Sequence, residues 1–213
     1  KGFNFVIISD SIVISGEKNK ENLSELIYIM SKIQYQLLLR GVLIRGGLSF
    51  GNLHINKTNN IIVGPGLINA YILEGEAKYP RIIIDRKVIP EFFTSTKDFM
   101  DYLNSFFLNL YGETDGKIKI DLTSKDGKPF INYLRMFVRD RRTFGSSNIS
   151  KLIIFFKSNY YSNEHFDKYN WLIEELKVEI DLAIQHYTSH PEFKKSNYKL
   201  TQLKKLRGKV ASI

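Results

Sequence analysis

Three polar residues, Ser9, Asp10 and Ser11, interrupt an apolar run close to the first residue of the chain. Apolar residues, mostly β-branched, occupy positions 5–8 and 12–14, which is typical of short buried strands. Because Ser and Asp favour turns, we predict a hairpin of two buried strands with the Asp10 carboxylate at its turn. A carboxylate held there could ligate Mg²⁺ or Mn²⁺. The alternative is an Asp that only satisfies turn amides.

Two glycine-containing segments follow. The first, Arg45-Gly46-Gly47, lies in a predicted strand, where glycines usually mark a bulge or a close approach by a ligand or another backbone. The second, Gly64-Pro65-Gly66, precedes a predicted helix that runs from Leu67 to about Ala77. These glycines could leave the helix N-terminus open to a phosphate, or they could allow tight packing.

The remaining pattern is that of a mixed α+β protein. Helical periodicity is clear before Gly41, over 96–111 and from His165 onwards, a strand is predicted over 81–85, and Asp126-Gly127 indicates a hairpin turn. From these elements we expect two parts. Residues 1–112 would form the core, and residues 113–213 a hairpin and helical extension packed on it.

Composition restricts the class of protein. With 43% hydrophobic and 13% aromatic residues, the 213-residue chain is expected to fold. No apolar run approaches the ~18–20 residues of a membrane span, and the start does not resemble a signal peptide. The absence of cysteine excludes disulfides and thiolate metal sites. We therefore expect a cytoplasmic protein without a membrane span.

The net charge is +9, from 31 Lys and Arg against 22 Asp and Glu, and much of the excess lies late in the chain. Positive charge attracts phosphates. A solvated face with a basic tail explains the pattern more simply, so nucleic acid is not the expected partner. The chain begins at Lys1, almost directly in a strand, and we expect its natural N-terminus to lie upstream.

The order of these segments resembles the class III nucleotidyl cyclase domain over roughly residues 1–90. The likeness is carried by the Ser9-Asp10 hairpin, by the Arg-Gly-Gly strand that ends at Gly51, and by the helix from Gly64 to Glu74. The chain is similar above all to the bacterial uridylate and cytidylate cyclases of anti-phage (Pycsar) signalling. That similarity includes Tyr79-Pro80-Arg81-Ile82 and extends to Lys168-Tyr169-Asn170-Trp171-Leu172.

The resemblance implies a ferredoxin-like core, an antiparallel-rich sheet with helices on one face. It also implies conversion of UTP or CTP to a 3′,5′-cyclic monophosphate in a homodimer, with the active site at the interface and a separate effector that reads the product. Two Mg²⁺ or Mn²⁺ ions would be held by two aspartates. Asp10 matches the second of these, and we expect the first upstream of Lys1.

Departures from the family pattern concern the base and the transition state. The family's purine-reading positions fall on Val6 and Ile61, which favours a pyrimidine substrate or none. Its transition-state Asn and Arg fall on Ile68 and Ile72. By proximity, Asn69, Arg45 and Arg81 are then the candidates for the charge-stabilising role, and we take Arg45 and Asn69 as the catalytic residues. Arg45 could instead pair across the dimer.

Substrate binding is expected from the residues around the turn, the glycine pair and the strand after the second helix. These candidates are Ser9, Ser11, Gly46, Gly47 and Arg81. For Arg81 the alternative is a residue that holds a strand end.

Two other functions compete with the cyclase. One is a degenerate cyclase-like domain that binds a nucleotide or a partner without turnover. The other is a nucleic-acid-binding module, whose affinity would depend steeply on salt.

Overall fold

The computed structural model of this chain describes residues 2–56, 58–59, 61–111, 119–121, 126–139, 147–160, 165–190 and 196–213. They form a mixed α+β structure, which confirms the predicted class at this level. The helices are α1 (Lys20–Leu38), α2 (Pro65–Glu76), α3 (Val88–Phe92), α4 (Thr96–Tyr111), α5 (Arg135–Arg139), α6 (Ser147–Tyr160), α7 (Phe166–Ser189) and α8 (Ser196–Ala211). The strands are β1 (Asn4–Ile8), β2 (Ser11–Ser15), β3 (Gly46–Leu48), β4 (His54–Asn56), β5 (Ile61–Val63), β6 (Ile82–Ile84), β7 (Lys119–Asp121) and β8 (Phe130–Asn132).

The described strands form three separate sheets. β1 and β2 make an antiparallel hairpin, β4 and β5 make a second two-stranded sheet, and the remaining strands form a four-stranded sheet in the order β3-β6-β8-β7. In that sheet β3 and β6 are parallel, whereas β6 and β8 are antiparallel. The described strands therefore do not form the single antiparallel-rich sheet that the resemblance implies.

The chain divides into two compact units. The first contains Lys1–Ile33, Arg45–Gly116 and Ile120–Asn132, and the second contains Gln34–Ile44, Lys117–Lys119 and Tyr133–Ile213. The expected division into residues 1–112 and 113–213 stays a prediction. Strand β8, at the end of the predicted C-terminal hairpin, belongs to the first unit because it pairs with β6.

In the first unit, the four-stranded sheet and α2 form the framework. The three isoleucines of β6, the strand between β3 and β8, are all buried, which requires that both faces of the sheet are covered at this strand. Helix α2 lies between β3 and β6 in the chain and packs against both. This strand–helix–strand arrangement positions most of the residues that the sequence singles out.

The second unit is a helical bundle. Its core collects the apolar stripe of α7 that the sequence predicts, including Leu172, Leu176 and Ile180, together with apolar residues of α5 and α8. Burial raises the pKa of the Tyr133 hydroxyl, which lies in the same core. Among the described residues no helix is long and apolar enough to cross a membrane.

The prediction that β1 and β2 are buried strands is wrong. The hairpin forms as predicted, but Phe5, Ile7 and Ile12 are each more than half exposed, and only Val6 of β1 is buried. Among the described residues the hairpin is a two-stranded sheet of its own, separate from the other two sheets. An apolar strand is buried only when another layer covers it.

Candidate functional site

The turn of the β1–β2 hairpin presents Asp10 to solvent. Ile8 pairs with Ser11, so Ser9 and Asp10 are the two residues of the turn. Ser9 has a φ of 55°, in the left-handed region that short hairpin turns require. Ser9, Asp10 and Ser11 are all exposed. The predicted position of the Asp10 carboxylate at a turn is thus confirmed, and its oxygens are open to a ligand.

One carboxylate does not make a metal centre. Among the residues that the structure describes, no three His, Cys, Asp or Glu side chains converge as ligands for an ion. Carboxylate oxygens suit Mg²⁺ and Mn²⁺, but Asp10 is a single donor residue. The two-ion site that the resemblance implies stays a prediction.

The glycine pair of β3 serves the packing of α2. A Cβ atom on Gly47 would lie 2.6 Å from Cβ of Leu73 and would also overlap the backbone oxygen of Ala70, both in α2. A Cβ on Gly46 would lie 3.3 Å from Cγ1 of Ile82 in β6. Of the two sequence alternatives, the structure shows the close approach of another backbone at Gly47.

The Gly64-Pro65-Gly66 segment is also a packing feature. Gly64 has a φ of 143°, and a Cβ there would overlap the backbone of Asn52. The amide of Gly66 donates to the Asn52 carbonyl at 3.2 Å, and a Cβ on Gly66 would lie 2.8 Å from the Gly51 carbonyl oxygen. The loop at residues 51–52 therefore lies against the first turn of α2. This is the helix N-terminus that, in one of the two sequence alternatives, the glycines would leave open to a phosphate.

Arg45 lies immediately before β3 and contacts α2 of its own chain. Its Nε donates to Oε1 of Glu74, and both side chains are partly exposed. Asn69, on the same helix, is half-buried. Arg45 and Asn69 thus belong to the same strand–helix pair, although Arg45 already forms an ion pair with Glu74 of its own chain.

Arg81, which the sequence predicts to bind substrate, lies in a buried ion pair. Its side chain is 2% exposed and forms a bidentate ion pair with Asp126, in which Nη1 lies 3.2 Å from Oδ1. The guanidinium carbon also lies 5.5 Å from the ring centroid of Tyr79 and 5.4 Å from that of Phe130. The alternative in which Arg81 holds a strand end is the one observed, because Arg81 directly precedes β6.

Two apolar surfaces of the first unit are exposed. The hairpin patch consists of Phe5, Ile7 and Ile12, and the register pairs Ile7 with Ile12 across the two strands. The helix patch consists of Ile68, Tyr71 and Ile72 on α2, and each of these is also more than half exposed. Apolar patches of this kind mark interaction surfaces more often than single exposed apolar residues do.

Sequence reasoning missed the two carboxylates that form ion pairs with Arg45 and Arg81. Glu74 lies in the helix motif and Asp126 in a turn signal, and neither position indicates an ion pair with a residue 29 or 45 positions away. Only the tertiary arrangement identifies them.

Comparisons of this chain with protein-family models, with curated proteins and with solved structures find no match. The function is therefore inferred from features of the chain itself. The strongest of these features is the exposed Asp10 turn, followed along the chain by α1 and by the β3–α2–β6 framework.

Proposed function

We propose that the first unit is the catalytic domain of a nucleotide cyclase that converts UTP or CTP to the 3′,5′-cyclic monophosphate as a signal in bacterial anti-phage defence. The observation that carries this proposal is the exposed Asp10 carboxylate at a two-residue turn between two apolar strands. The order of elements that follows agrees with the cyclase resemblance as far as β6. A ferredoxin-like arrangement of the complete core is part of the proposal.

The reaction joins the ribose 3′-oxygen to the α-phosphorus and breaks the bond from that phosphorus to the oxygen that bridges to the β-phosphate. Pyrophosphate and the hydroxyl proton leave. Bound Mg²⁺ or Mn²⁺ would supply charge neutralisation, and Asp10 is the described residue that would ligate it. The proposal therefore requires a second metal-ligating carboxylate besides Asp10.

Other residues of the chain would bind and orient the triphosphate. The Ser9 and Ser11 hydroxyls flank Asp10 and can hydrogen-bond to phosphate oxygens. Arg45 can exchange Glu74 for a phosphate at small cost, because a partly exposed ion pair contributes only about 0–1 kcal/mol. The Asn69 amide can donate one further hydrogen bond. Gly46 and Gly47 would act indirectly, by setting the distance between β3 and α2.

A homodimer is part of the proposal, and the two exposed apolar patches support it. An isolated two-stranded hairpin is marginally stable in water, and the hairpin patch adds exposed apolar area to it. A second copy that covered the hairpin and helix patches would remove this area from solvent and would bring side chains of two chains together. The product would be read by a separate effector in the cytoplasm.

The test uses the full-length protein with each of ATP, GTP, CTP and UTP in Mn²⁺, with the cyclic product separated by chromatography. We expect product from UTP or CTP alone, and loss of that product in Asp10→Asn. Asp101→Asn is the matched control, since Asp101 is an exposed carboxylate on α4 of the same unit. Equal activity in the two variants would contradict the role of Asp10.

A second candidate is a cyclase-like domain that binds a nucleotide or a protein without turnover. The observation that favours it is the exposed, apolar character of Ile68 and Ile72, at the positions where the resemblance expects a charge-stabilising Asn and Arg. No product from any of the four nucleotides, together with heat release on titration with UTP or CTP, would support this candidate over the cyclase.

A further inference from the structure

The net positive charge of this chain lies in the second unit. In the first unit 13 Lys and Arg face 14 Asp and Glu, a net charge of −1. In the second unit 18 Lys and Arg face 8 Asp and Glu, a net charge of +10. The two units together give the +9 of the whole chain. A unit with this excess attracts polyanions.

Helix α8 carries much of the excess. Its sixteen residues include five basic and no acidic side chains. Its apolar residues Leu203, Leu206 and Val210 are buried in the same core as the apolar stripe of α7. The opposite side of α8 faces solvent, and Lys204, Lys205 and Lys209 are all exposed there.

Two basic residues of α8 have partners on α7. Arg207 Nε donates to Asp181 Oδ1 at 2.8 Å, and this bond raises the pKa of the guanidinium. Lys199 Nζ donates to the Tyr187 hydroxyl at 2.7 Å.

Two acidic residues of α7 form ion pairs with basic residues outside the exposed face of α8. Glu174 pairs with Lys177 at 2.8 Å, and Glu179 pairs with Arg135 at 3.6 Å. Within the part of the chain that the structure describes, no carboxylate lies within ion-pair distance of Lys204, Lys205 or Lys209. We call these three residues the α8 lysine cluster.

The α8 lysine cluster is compact and open. Lys205 and Lys209 are one helical turn apart, and the three lysines span about 7.5 Å along the helix axis. Gly208 lies between them, with nothing within 4 Å of a Cβ built there, so a ligand backbone can approach. Tyr198, seven residues before Lys205, adds an exposed aromatic ring and hydroxyl to the same face.

We propose that the α8 lysine cluster binds the phosphate backbone of a nucleic acid without reading its sequence. Lysines on a solvent-facing helix bind phosphates through charge, and an exposed tyrosine can add a hydrogen bond or a stacking contact. A membrane surface fits less well, because a helix that binds a bilayer inserts its apolar face, and that face of α8 is already buried. A favourable interaction with the helix dipole accounts for lysine only in the last turn, which leaves Lys204 and Lys205 unexplained.

This proposal differs from the expectation that nucleic acid is not a partner, which rested on a solvated face with a basic tail as the simpler explanation of the charge. It does not depend on the proposed cyclase activity, since the cluster and the Asp10 turn belong to different units.

The test measures fluorescence anisotropy of labelled duplex DNA and duplex RNA titrated with the full-length protein over a range of salt concentrations. Three phosphate contacts on duplex DNA predict an affinity that falls about 40-fold between ~50 and ~200 mM salt. In the triple variant K204A/K205A/K209A we expect weaker binding and a log–log salt slope that is less steep by about 2.7.

The matched control is K78A/K87A/K97A, which removes the same charge from exposed positions of the first unit and should bind as the wild type does. Circular dichroism checks that both variants are folded. Equal loss in the two variants would mean that total charge governs binding and would overturn the proposal. So would the absence of binding to either duplex at ~50 mM salt, or binding to phosphatidylserine vesicles in their place.

Discussion

Arg81 and Arg45 have the same side chain and each pairs with one carboxylate, but water reaches the two pairs differently. The Arg81 side chain is 2% exposed and that of Asp126 is 39% exposed, whereas those of Arg45 and Glu74 are 48% and 31% exposed. The difference between the pairs therefore lies in the arginine. A buried charge depends on its partner because no water replaces it. The two pairs therefore have different consequences for stability, although the sequence treats both arginines as equivalent candidates.

We predict that Asp126→Asn lowers the free energy of unfolding by about 1–3 kcal/mol, since it removes the carboxylate that pairs with the buried Arg81 guanidinium. The Asn side chain keeps an acceptor for the Lys128 amide, which donates to Asp126 Oδ1 at 3.2 Å, so the turn is retained. Urea denaturation of Asp126→Asn and of the wild-type protein measures the effect. Glu74→Gln, the control at the exposed pair, should cost less than about 1 kcal/mol. Equal losses would contradict the burial argument.

At the scale of elements, the contact between β3 and α2 sets the geometry of the proposed site. The helix approaches the strand so closely at Gly47 that only a residue without a side chain fits. Arg45 and Asn69 are brought to the same strand–helix pair by this approach. The glycines are therefore framework residues, and any effect of changing them on activity is indirect.

We predict that Gly47→Ala lowers the free energy of unfolding by about 1–3 kcal/mol, because the new methyl group would push Leu73 and the backbone of Ala70 away from β3. Gly75→Ala is the matched control within α2, where a Cβ meets nothing within 4 Å. It should raise stability by about 0.5–1 kcal/mol. Thermal or urea unfolding measures both variants, and a neutral Gly47→Ala would refute the close approach.

At the scale of the whole molecule, the exposed hairpin and helix patches bear on oligomeric state. A stable dimer of standard size buries about 800 Å² on each partner, and the apolar side chains of the two patches could contribute to it. The strands of the hairpin have free edges among the described residues. The apolar sequence of the hairpin thus predicts a covering layer that the described residues do not supply.

We predict that the wild-type protein is a dimer in solution and that Ile7→Lys with Ile12→Lys makes it monomeric, because two charges would have to be buried at the interface. Sedimentation velocity over a range of concentrations measures the change. Ile154→Lys, at an exposed isoleucine of the second unit, is the control and should remain dimeric. A monomeric wild type, or a dimer that tolerates both lysines, would contradict this prediction.

The sequence by itself determined the local structure. Apolar residues around Ser9 and Asp10 specify a hairpin with the carboxylate at its turn, and the helical period specifies the buried stripe of α7, because these patterns act between residues close in the chain. Only the tertiary structure decided which groups are available for chemistry. It buried Arg81 against Asp126, paired Arg45 with Glu74, placed a loop against the first turn of α2 and left the hairpin exposed. Each of these outcomes depends on a partner many residues away, and no local pattern encodes the distance between two side chains that only the fold brings together.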